Sequence, residues 1–253
     1  MQRRRLLAGL GVGLGGLAGC SAPTGGRYAG ITDVEWLDGE ELDAELLAEL
    51  HSEALVDAGS FELFSTADTE HDGDEKPSRW LSSQEYEARF DADRERQYLG
   101  QESTEEHDRF ELYVAGSDAF VREEDGEKVV TDRRAIDRSA EAFREAMREE
   151  SLSGVRGVGG WNMAVDERAD EFDGEPTVRL VADEFDGDAG LPEEVLSAEA
   201  TMHVTEAGVV PSLEQRWEGV QRGQEAVVEV DIAFRGVGET TVGEPEWVDA
   251  LRE

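Results

Sequence analysis

A single stretch near the C-terminus constrains the fold more than any other. Ala226, Val228, Val230, Ile232 and Phe234 alternate with other residues. An extended chain therefore puts all five on one side. Such a strand needs neighbours for its backbone and a cover for its apolar face. The period of two recurs upstream. Phe61, Leu63 and Ser65 share a parity, as do Trp80, Tyr86, Ala88 and Phe90, and then Phe110, Leu112 and Val114. The chain is predicted to be built around one large sheet.

Turn signals space these runs as in a meander. Glu124-Asp125-Gly126 reads as a hairpin turn, and Asp173-Gly174-Glu175-Pro176 separates the strand patterns 164–172 and 177–185. Glu206-Ala207-Gly208 divides strands expected at 200–205 and 209–217, and Leu191-Pro192-Glu193-Glu194 reads as a short helix. Ser60–Thr66 reads as a strand and Ala67–Lys76 as an acidic loop. Two stretches carry a helical period instead. Residues 40–58 place Leu42, Leu46, Leu50 and Ala54 on one stripe, with Asp38 and Glu41 as a capping pair and Gly59 as the stop. Residues 132–150 place Ile136, Ala140, Phe143 and Met147 likewise, before a glycine-rich joint at 154–160. Helix, strands, helix, many strands is the order of an α+β domain.

The first nineteen residues read as an export signal. Arg3-Arg4-Arg5 precede an apolar run from Leu6 to Leu17, too short to span a bilayer. Arg3, Arg4, Leu6 and Leu7 fit a twin-arginine signal. Leu17-Ala18-Gly19-Cys20 looks like a lipobox, and Cys20 is the only cysteine of the chain. The division expected is therefore 1–19 signal, 20–34 lipidated N-terminus and tether, and 35–253 one domain, held at the extracytoplasmic face of the cell membrane. The GxGxxG match at Gly11, Gly13 and Gly16 lies within the signal and has no strand before it.

The chain carries 61 acidic against 24 basic residues, a net charge of −37, and only Lys76 and Lys128 are lysines. This charge has the wrong sign for a nucleic acid partner. Loss of residues 1–19 removes three arginines and no acid, for a net of −40. At molar salt the Debye length shrinks to about 3 Å, so self-repulsion is screened while the carboxylates keep the surface hydrated. Acid excess with scarce lysine reads as adaptation to high salt.

Catalytic signatures are missing. The chain has no GxSxG elbow, P-loop, HExxH or SxxK motif. His51, His71, His107 and His203 stand apart, without the paired spacing of a zinc site. The acidic runs lack the spacing of a calcium loop. The sequence calls for no cofactor, no metal and no enzymatic activity. The aromatic residues at strand spacing are read either as ordinary core or as the wall of an apolar cavity between sheet and helices.

A resemblance goes further. Helix 40–58 leads into Ser60-Phe61-Glu62-Leu63, followed by Arg96-Gln97-Tyr98, then Leu112-Tyr113-Val114-Ala115-Gly116 with Phe120-Val121-Arg122, and an expected terminal strand through Val242 to Trp247. Over about residues 35–248 this order is similar to the LolA/LppX-like lipoproteins and their uncharacterised haloarchaeal relatives. The resemblance implies a half-open β-barrel, a large curved antiparallel sheet with a few helices packed on its concave face. It implies either a carrier of an apolar ligand such as lipid, or a non-catalytic cell-surface sensor or scaffold without a cavity. For the carrier, the expected cavity residues are Phe61, Leu63, Trp80, Tyr86, Phe90, Leu112, Val228, Val230, Ile232 and Phe234.

The charge generates one prediction. Diluting the purified protein from molar salt to about 0.1 M lengthens the Debye length to about 10 Å. The far-ultraviolet circular dichroism is expected to lose its folded signal over that range, and a flat titration counts against salt adaptation.

Overall fold

The computed structural model describes residues 30–72, 83–104, 108–136, 138–186, 194–221 and 223–252. Two short strands, β1 (Leu37–Asp38) and β2 (Glu41–Leu42), precede helix α1 (Ala44–Ala58). A meander follows: β3 (Ser60–His71), β4 (Gln84–Asp91), β5 (Arg96–Ser103), β6 (Arg109–Ala115), β7 (Asp118–Asp125) and β8 (Lys128–Ala135). Helix α2 (Ala140–Ser153) and a 3-10 turn (Arg156–Gly160) lead to a second meander. Its strands are β9 (Ala164–Phe172), β10 (Glu175–Ala182), β11 (Glu194–Thr205), β12 (Ser212–Gln221) and β13 (Gln224–Arg235). A 3-10 helix at Glu246–Leu251 ends the chain.

Among the described residues these thirteen strands form one antiparallel sheet, ordered β1-β2-β9-β10-β11-β12-β13-β3-β4-β5-β6-β7-β8. The two meanders meet where β13 pairs with β3, from Ala226 opposite His71 to Arg235 opposite Glu62. The sheet is curved and unclosed, with β1 and β8 as separate edges. Register shifts at Thr177–Arg179 and Val195–Ser197 bend the strands that carry them.

Both helices pack on one face of the sheet, here the inner face. Asp43 caps α1 through the Leu46 N–H at 3.0 Å, not the pair Asp38 and Glu41, which lie in the short strands β1 and β2. The helix therefore starts at Ala44 instead of 40 and ends, as expected, at Gly59 with φ +75°. The second helix starts eight residues later than expected, because 128–135 is spent on β8. Ser139 caps it through the Ala142 N–H. Residues 67–71, expected in a loop, extend β3, and Glu194 opens β11 instead of ending a short helix. Residues 191–193 lie outside the described part.

The inner core joins Leu47 and Leu55 of α1 and Phe143 and Met147 of α2 to Phe61, Leu63, Phe90, Leu180, Met202, Leu213 and Phe234 of the sheet. A second core sits on the outer face. Tyr98, Tyr113 and Phe120 point outward from β5, β6 and β7 and are covered by Val242 and Val248. The segment expected to be a terminal strand is thus a strap across the outer face, tied by Arg96 to the Val242 carbonyl at 3.1 Å. Tyr98 lies across Gly100, where an added Cβ would stand 2.8 Å from its hydroxyl. That hydroxyl donates to the buried Glu111 carboxylate at 2.9 Å, and Arg109 and Arg122 complete the carboxylate's partners.

Replacing a strand glycine by alanine normally stabilises by about 0.5–1 kcal/mol. Gly100→Ala is expected to do the opposite, costing about 1–3 kcal/mol as Tyr98 is pushed off Glu111. Urea unfolding at molar salt measures the sign.

Candidate functional site

The inner face is laid out in cross-strand rows. One row runs Phe234, Leu63, Ala88, Leu99, Leu112, Val121 across β13 and β3 to β7. The next runs Ile232, Ser65, Tyr86, Gln101, Phe110, Glu123, Val130 and reaches β8. Burial changes along these rows. Phe234, Leu63 and Ala88 are fully buried beneath the helices. Leu99, Leu112 and Val121 are only half-buried, and Phe110 and Val130 are 38% and 43% exposed. In these two rows the cover thins from β5 to β8 and leaves an apolar shelf.

The residues expected to line a cavity divide accordingly. Phe61, Leu63, Phe90, Val228 and Phe234 lie in the buried core. Phe61 stacks on Phe90 at 5.1 Å, Phe90 meets Phe143 edge-on at 5.9 Å, and His51 meets Phe234 edge-on at 4.4 Å. Tyr86, Val230 and Ile232 are half-buried against the same cluster. The Tyr86 hydroxyl donates to Glu150 of α2 at 2.7 Å, and burial together with that carboxylate pushes its phenol well above the ordinary value. Leu112 stands apart, on the shelf. Trp80, like Cys20, Arg3, Arg4, Leu6 and Leu7, lies outside the described residues. Leu99, Phe110, Val121 and Val130 join Leu112 through strand register. Their parity was visible in the sequence; the reach of the helices was not.

Two polar clusters could pass for catalytic centres. His51 is fully buried, and its Nδ1 accepts the Val210 N–H at 3.1 Å. Burial lowers its pKa to about 3, against the Ser151 backbone, which favours the charged form. A neutral imidazole with its basic nitrogen already used is a structural tie between α1 and the β11–β12 turn. On the outer face, His203 places Nδ1 3.0 Å from the Ser212 hydroxyl and Nε2 3.3 Å from Asp170. The Glu171 N–H holds the Asp170 carboxyl below its ordinary value, burial opposes it, and Arg179 and His203 add to the lowering.

That order resembles a hydrolase triad, yet Ser212 is 6% exposed and stands in the sheet interior between His203 and Ala233. An oxyanion needs free backbone N–H donors at the nucleophile, and in a strand paired on both sides the ladders take them. Phe172 covers His203 at 5.0 Å between ring centres. The cluster pins β9 to β12. Among the described residues, no three His, Cys, Asp or Glu side chains are grouped to hold a metal ion.

Solved structures similar to this chain share little sequence with it. A LolA superfamily protein from Nitrosomonas europaea is 10% identical, with 81% of this chain and 96% of that one covered and a TM-score of 0.25. A DUF1329 family protein from Desulfovibrio piger is 10% identical, with 80% and 95% covered and a TM-score of 0.27. Superpositions this loose leave the architecture to rest on its own strand order and register. No curated protein matches the chain. A model described as a family of unknown function, DUF7537, matches residues 5–250, nearly the whole length, and the chain belongs to that family.

Proposed function

We propose that this is an exported, membrane-anchored, non-catalytic protein that binds an apolar ligand on the shelf of β5 to β8. The observation that carries the reading is the unfinished cover of the inner face. Leu99, Leu112 and Val121 continue the buried row of Phe234, Leu63 and Ala88 without a break, but they are only half-buried, and Leu112 and Val121 do not join the core beneath the helices. Apolar side chains left in water at the margin of a core gain about 25 cal/mol per Å² when a ligand covers them. The open side of a curved sheet is a favoured place for such ligands. A flexible acyl or isoprenoid chain lying along the row, in contact with the flank of α2, meets that need.

The anchor rests on Leu17-Ala18-Gly19-Cys20. One saturated chain gives only reversible membrane binding and two give stable anchoring, so a two-chain lipid on Cys20 is the expected modification. In this reading the acidic domain works in molar salt outside the cell, and its ligand is lipid from the membrane beside it.

Binding of a fluorescent apolar probe to the full-length protein tests the shelf. Leu112→Glu is expected to weaken the probe by about tenfold or more, the cost of setting a carboxylate against an apolar ligand. Val129→Glu, on the outer face of the edge strand and 54% exposed, is expected to leave it unchanged. A parent protein that binds no probe sinks the reading. The anchor has its own test: Cys20→Ser is expected to release the protein into the medium or leave unprocessed precursor. Normal processing with full membrane retention would remove it.

A further inference from the structure

On the solvent side of the helices, away from the shelf, α1, α2 and the 3-10 turn enclose a groove of about 550 Å³. Its floor is apolar and low: Ala44 and Ala48 of α1, Leu152 of α2, and Gly159. Ser52 completes the floor, its hydroxyl held by Ser151 at 2.8 Å. One bank is Glu45, Glu49 and Glu53, spaced one turn apart along α1. The other is Arg148 and Arg156. Arg148 is paired with Glu145 at 2.6 Å, whereas the side chains of Arg156 and the three glutamates have no hydrogen bond or ion pair with a described residue.

We propose that this groove docks an amphipathic helix of a partner protein, apolar on its inner stripe, basic on the flank facing α1 and acidic on the flank facing Arg156. Charge and spacing together choose this occupant. Glutamates at i, i+4 and i+8 present one carboxylate per turn, and a second helix laid alongside repeats at the same interval, so a lysine or arginine ladder meets them one to one at contact distance, where salt screens least. Alanine and glycine in the floor let two helix backbones approach closely, as bulky side chains would not. The lining spans Ala44 to Glu53, about 15 Å of helix and nearly three turns.

A second copy of this chain does not fit. Helix α1 carries four acids and no base, and α2 carries four acids and two arginines, so either would bring like charge to the glutamate bank. The partner is another protein.

The test uses full-length protein in molar KCl and three labelled synthetic peptides read by fluorescence anisotropy. One has a leucine stripe with a lysine ladder on its flank, one replaces the lysines by glutamates, and one carries the lysines with a central proline. The lysine helix is expected to bind about tenfold tighter than either of the others. The triple change Glu45→Gln, Glu49→Gln, Glu53→Gln should weaken it by a similar factor, and Ala48→Trp should block it, with unchanged circular dichroism in both. Glu167→Gln, Glu171→Gln, Glu175→Gln on the exposed β9–β10 hairpin removes as much charge and should leave binding intact. Equal losses in the two triple variants mean a general attraction to an acidic surface and overturn the proposal. So does equal binding of the proline peptide, or displacement of the helix by a simple alkylammonium.

Discussion

The pairing of β3 with β13 is the interaction on which the rest depends. Each of the two meanders can form from neighbouring strands, but neither alone has an inner face wide enough to bury both helices. Joined at β3 and β13, they bring Phe61 and Leu63 of the first meander beside Phe234 of the second. On that combined surface α1 and α2 can settle. His51 then ties α1 to Val210, in the turn leading into β12. The Ser52–Ser151 hydroxyl contact ties the helices to each other. The inner core is a product of the long-range pair.

The helices then decide where the inner face stays open. α1 follows directly from β2 and enters β3, so it must lie over the centre of the sheet. α2 connects β8, at one edge, with β9, near the other. A chain crossing that way covers the middle and leaves the strands it departs from. Leu112 and its row neighbours Leu99 and Val121 stay only half-buried because of that crossing. Val114 and Ala119, one row over, are buried. The boundary of the shelf is therefore a matter of connectivity more than of composition.

Much of the sheet could be read in the chain. Alternation from Ala226 to Phe234 needed one face covered, and β13, Gln224–Arg235, contains the whole run. The errors have physical causes. The stripe of Ile136, Ala140, Phe143 and Met147 draws the end of β8, residues 132–135, into the expected helix, because nothing in those residues contradicts a helical start. The terminal strand through Val242 to Trp247 is implied by the resemblance alone; Pro245, which has no N–H for a ladder, stands in it, and Glu246–Leu251 turns into a 3-10 helix instead. The outer core left a clearer trace. Tyr98-Leu99, Leu112-Tyr113-Val114 and Ala119-Phe120-Val121 are apolar on both parities, which is the mark of strands covered on both faces. Of the shelf, parity was legible and exposure was not, since exposure depends on how far α2 reaches.

The strap has a consequence for the order of events during synthesis. Tyr98, Tyr113 and Phe120 are made well before Val242 and Val248, and β3 waits for β13. A chain emerging from its N-terminal end holds an aromatic patch bare and one edge of β3 open until β13 and the strap appear. Pairings so distant in sequence also close slowly. In the interval the dense carboxylates keep incomplete chains hydrated and soluble. The acidity of the chain thereby serves the unfinished fold as well as the finished surface.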